Sequence, residues 1–92
     1  METIRKCVKE GRYLDTRHAT QRQTERNVTR PEYLHALWNG YHEKQKDTFA
    51  DAYNAWNYSV RGKTIDARAL RVVVSFDENN MLIITAIDLS KT

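Results

Sequence analysis

Cysteine occurs once, at Cys7, so no disulfide can form within the chain. Proline also occurs once, at Pro31, and Gly11, Gly40 and Gly62 stand singly, which excludes a Gly/Pro-rich linker or a low-complexity tract. No apolar run approaches the roughly 20 residues of a membrane-spanning helix, and none follows a charged start as in a signal peptide. A cytoplasmic location without membrane association is therefore expected. A large excess of one charge is also missing: 15 Lys and Arg against 12 Asp and Glu leave a net +3, with a pI near 9.2. That balance leans toward an anionic partner without demanding one. What is present, 92 residues with 40% hydrophobic content, suits one domain over residues 1–92 around one modest core.

The apolar pattern is helical first and strand-like afterwards. Ile4, Cys7 and Val8 fall at i, i+3, i+4 and Gly11 follows as a stop, which predicts a first helix. Asp15 or Thr16 can cap a second helix ending at Asn27. For a third, Thr29 and Glu32 are spaced as a capping box, Pro31 lies in the first turn and Gly40 supplies the stop. Its apolar stripe reads Tyr33, Leu34, Leu37 and Trp38, with His35 near the flank. From Gly40 the period changes. "YHEKQKD" alternates weakly and "AWNYSVR" more clearly, while "ALRVVVSF" and "MLIITAIDL" are dense β-branched runs joined by Asp77 to Asn80, a hairpin-sized loop. The expected class is α+β: two or three N-terminal helices packed on one face of an antiparallel sheet of about four strands, the other face free for a ligand.

The polar segment "TRHATQRQTER" holds the residues with the most chemistry. At about 100° per residue, His18, Arg22 and Arg26 lie successively about 40° apart on a helix, so they project over one sector. Imidazole exchanges a proton near neutral pH, and guanidinium offers a planar, permanently charged fork for phosphate oxygens. Together they suit RNA cleavage without a metal, which needs proton transfer at the 2′-OH and at the leaving oxygen and cations where the phosphorane charge develops. The plainer reading is a solvated helix face, with Glu25 placed to pair with Arg22.

"TRHATQRQTERNVTRPEYLHALWNG" resembles the pattern His-Ala-x-x-Arg-Met-x-Glu-Arg-Gly-Ile, followed by a short helix, of the bacterial domain-of-unknown-function family 4258. "WNYSVRGKTIDARALRVVVSFDENNMLIITAI" is similar to that family's ending of three strands. Gln23 stands where the pattern has Met, and Asn27 where it has Gly. That family in turn resembles the RelE and BrnT group of toxin ribonucleases. The resemblance implies a RelE-like (BECR-like) fold and the toxin component of a toxin–antitoxin system, a metal-independent endoribonuclease with RNA as substrate and a cognate antitoxin protein as partner. It carries His18, Arg22, Arg26 and Thr85 over as catalytic residues and implies no cofactor. The alternative is a non-catalytic module that uses the same basic helix to bind RNA or an acidic protein.

Other residues have two readings each. Arg61 and Lys63 flank Gly62 in a turn-like "VRGKT" that can hold an RNA backbone phosphate or be an ordinary charged turn; the upstream glycine and following helix of a Walker loop are missing. His42, Lys44 and Lys46 share one face of the expected strand "YHEKQKD", as a nucleic-acid groove or as an edge guarded by lysine. Trp56 and Tyr58 share parity and suit core packing more than base stacking. The spacing of His18, His35 and His42 matches no metal site, so none is expected. An exposed edge strand makes a homodimer conceivable.

Overall fold

The computed structural model describes residues 1–15, 28–52, 54–78 and 80–89. Helix α1 spans Glu2–Glu10 and buries Ile4 and Cys7. It ends at Gly11, whose φ of +71° is the left-handed region that glycine enters without a Cβ penalty; its amide donates to the Val8 carbonyl at 3.3 Å. Helix α2 spans Arg30–Asn39, and its N-terminus is held as the sequence predicts, the Glu32 carboxylate accepting from the Thr29 amide and hydroxyl, both at 2.9 Å. At the other end the Arg5 guanidinium donates to the carbonyls of Trp38 and Gly40, each at 2.9 Å. A cation there satisfies carbonyls that have no partner in the helix and complements the helix dipole.

Among the described residues six strands form the sheet: β1 (Tyr13–Asp15), β2 (Tyr41–His42), β3 (Thr48–Ala50), β4 (Ala55–Lys63), β5 (Ala69–Phe76) and β6 (Met81–Asp88). The order is β1-β6-β5-β4-β2, with β3 also paired to β4; β1 runs parallel to β6 and the other pairs are antiparallel. The class is α+β as expected, but six strands replace about four, and β1 separates α1 from α2. The three-residue β1 carries too little pattern to be read as a strand; it forms because β6 offers it an edge. "YHEKQKD" is not one strand. After β2 the chain closes a 3-10 turn at Lys44–Lys46, with amide-to-carbonyl bonds Lys46 to Glu43 at 2.9 Å and Asp47 to Lys44 at 3.1 Å.

Strand parity puts Val60, Leu70, Val72, Val74, Met81 and Ile83 in the core beneath the helices, each fully buried. Two glycines let α2 settle on β4. A Cβ at Gly62 would lie 2.0 Å from the Ala36 carbonyl oxygen, and one at Gly40 2.5 Å from the Arg61 carbonyl oxygen of β4. The buried stripe of α2 is accordingly Tyr33, Ala36 and Leu37, while Trp38 is half exposed, contrary to the expected stripe. Trp56 is exposed as well: it lies at the β3/β4 end, against Phe49 with ring centroids 5.5 Å apart, beyond the reach of the core that Tyr58 joins. Asn39 extends the ladder with its side chain, accepting from the Lys63 amide at 3.1 Å and donating to the Lys63 carbonyl at 2.9 Å.

A bulge breaks the β5/β6 register. Val73 pairs with Thr85 and Val74 with Ile83, so Ile84 is the extra residue of the bulge. The extra residue changes the parity of β6, and Met81 and Ile83 before the bulge and Ala86 after it all face the core. No helix among the described residues is long and apolar enough to cross a membrane.

Candidate nucleic-acid interface

Because Val60 and Gly62 turn toward α2, Arg61 and Lys63 turn to the opposite face of β4, which neither α1 nor α2 covers. Antiparallel pairing then assembles a row across four strands: Tyr41 is opposite Arg61, Arg61 opposite Arg71, and Arg71 opposite Ile87. The next row is Ser59, Val73 and Thr85. Thr85 therefore shares the face of Arg61 and Lys63, at the bulge, and its hydroxyl makes no hydrogen bond with a described residue.

The three cations of this face differ. Arg71 Nε meets Glu43 Oε1 at 3.3 Å, and both side chains are largely sheltered, so that pair is internally neutralised. Arg61 and Lys63 form no ion pair among the described residues, and Lys63 is exposed. Two charges without an ion-pair partner among the described residues thus lie together on a face that no described helix covers, a local excess of positive potential.

His42 lies elsewhere. Its Cα partner Val60 faces the core, so the imidazole is on the helix side of the sheet. There Nε2 is 2.7 Å from Asp47 Oδ2, and Asp47 Oδ1 accepts the Ser59 amide at 3.0 Å. The ring stands edge-on to Tyr58, centroids 5.9 Å apart, beside a small pocket of about 160 Å³ that Ile4 and Phe76 also line. Lys44 is exposed on the 3-10 turn. The expected common face of His42, Lys44 and Lys46 thus does not exist, because the turn replaces the strand that would have aligned them. His18, Arg22 and Arg26 lie outside the described residues.

Several polar assemblies escaped the sequence reading. Asp15, in β1 rather than free at a helix start, accepts from the Tyr33 hydroxyl and from Arg30, whose Nε is 3.0 Å away. This hydrogen bond and the carboxylate's charge raise the Arg30 pKa above its ordinary value. Arg68 gathers Glu32, Asp88 at 3.2 Å and Asp66 at 3.5 Å, tying α2, β6 and the β4/β5 loop together. Asp88, an acid inside an apolar strand, was the available signal that a cation had to be near. Among the described residues no three His, Cys, Asp or Glu side chains stand together as a metal site would require.

Fold and surface define a small α+β domain with α1 and α2 on one sheet face and, on the other, cations without an ion-pair partner among the described residues. Residues 16–88 match the family described as a domain of unknown function, DUF4258, and the chain belongs to that family. Comparison with curated proteins gives no match, and comparison with solved structures gives none.

Proposed function

We propose that the protein is a toxin-type, metal-independent endoribonuclease of the cytoplasm with a RelE-like fold, held in check by a cognate antitoxin. The observation that supports it is the placement of Arg61 and Lys63, both without an ion-pair partner among the described residues, on the same sheet face as Thr85. On this reading the two cations hold the RNA backbone and the Thr85 hydroxyl donates to a phosphate oxygen. His18 transfers the proton, while Arg22 and Arg26 neutralise the phosphorane. The 2′-oxygen attacks the adjacent phosphorus and the 5′-oxygen leaves with a proton, which gives a cyclic phosphate end. An antitoxin with acidic residues is the complementary partner for such a face.

A second reading has its own support. Among the described residues no histidine shares the face of Arg61 and Lys63, since His42 is on the helix side and His35 is exposed on α2. The described part of the surface is thus equipped to bind RNA, and proton transfer rests on His18. Induced expression in bacteria of the parent chain beside His18→Ala, with growth followed and total RNA inspected in the presence of a chelator, separates the two. The nuclease reading expects growth arrest and chelator-resistant cleavage in the parent and neither in the variant. Intact RNA from well-folded parent protein overturns it in favour of the binding module.

A further inference from the structure

Tyr41 is the most exposed aromatic side chain among the described residues, at 58%, although it belongs to a strand. The contrast with Tyr33 is informative: that ring is 1% exposed and its hydroxyl is bonded to Asp15, whereas the Tyr41 hydroxyl has no hydrogen-bond partner among the described residues. The β2 backbone beneath Tyr41 is fixed by its pairing to β4, and the Glu43 amide continues the ladder by donating to Ser59 at 2.8 Å. A tyrosine on such a support has two side-chain torsions to lose on binding, so it offers a planar apolar surface at small entropic cost.

Its neighbours decide what that surface is for. Arg61 is directly opposite Tyr41, with paired Cα atoms about 5 Å apart, and Lys63 is two residues farther along β4, about 7 Å on. An aromatic ring with two cations beside it on the neighbouring strand, neither ion-paired among the described residues, suits a nucleotide of an extended strand, with a base to stack and phosphates next to it. Phe49 and Trp56, also exposed, lack this setting: they pack on each other's edges and share the parity of the core side of β4.

We propose that Tyr41 is a stacking platform for an unpaired RNA base, so that the Tyr41, Arg61 and Lys63 surface selects single-stranded RNA over duplex. The proposal rests on the RNA reading above and deepens it. A duplex hides the faces of its bases and offers this surface phosphates alone, whereas a single strand offers both.

The test is fluorescence anisotropy of the full chain, with three labelled probes of equal length and 2′-O-methyl sugars that resist cleavage: an oligouridylate, an abasic strand and a duplex. The oligouridylate is expected to bind about tenfold or more tightly than the abasic strand, from the usual strength of base–aromatic stacking. Tyr41→Ala should remove that difference, and Tyr41→Phe, which keeps the ring, should restore it; thermal melts verify that each variant is folded. If the parent binds oligouridylate and abasic strand equally, while Arg61→Ala with Lys63→Ala abolishes both, the stacking inference falls and the RNA reading stands. If no probe binds and a polyglutamate peptide does, both fall in favour of an acidic protein partner.

Discussion

Arg61 and Arg71 are chemically identical side chains on neighbouring strands, side by side on one face, but only Arg71 has an ion-pair partner among the described residues. Glu43 is buried, and without Arg71 its carboxylate would lack a compensating charge. Arg71→Ala is therefore expected to cost about 1–3 kcal/mol of stability, measured by urea denaturation. Arg61→Ala should leave stability within about 0.5 kcal/mol but lower RNA affinity and reduce the slope of log affinity against log salt by about one. Equal stability of the two variants would contradict this division. The distinction was invisible in the sequence, where Glu43 and Arg71 are 28 positions apart and nothing local couples them.

At the scale of elements, density of β-branched residues governed what was legible. "ALRVVVSF" and "MLIITAID" form β5 and β6 with the four-residue loop Asp77 to Asn80 between them, as expected. The α2 start was legible because its signals, Thr29, Pro31 and Glu32, are local. Short polar segments were not: β1 owes its conformation to β6, and the 3-10 turn to its own backbone bonds. Of the candidate site, Arg61, Lys63 and Thr85 share a face, while His42, paired with Val60, lies on the helix side, and β2 ends after two residues so that period-two spacing does not align it with Lys44 and Lys46. The tightest joint between elements is Gly62. A methyl group there must displace the Ala36 backbone, so Gly62→Ala is expected to cost about 2–3 kcal/mol and lower Tm by about 10 °C or more. An unchanged melting curve would show that α2 can lift from β4 without penalty.

For the molecule as a whole, the two faces of the sheet differ: one packs against α1 and α2, and the other carries Arg61 and Lys63 without an ion-pair partner among the described residues. Strand β4 serves both, since Val60 and Gly62 bind it to the helix layer while Arg61 and Lys63 project the opposite way. On the proposed RNA reading, the binding residues sit on a strand held by β2, β3, β5 and α2, which favours a preorganised surface. What remains is the rim of the sheet. Beside β4 it is broken into β2 and β3 with the lysine-bearing turn between them, and at Lys63 the amide of Asn39 stands in for a peptide unit. Asn39 is in effect a counterfeit rung: the last docking position of the ladder is filled before another chain can use it. Asn39→Ala should leave the fold intact and increase concentration-dependent association in sedimentation velocity, and a variant as monodisperse as the parent would refute that role. The end of the strand that carries Arg61 and Lys63 is thus closed by a side chain lent from the helix layer.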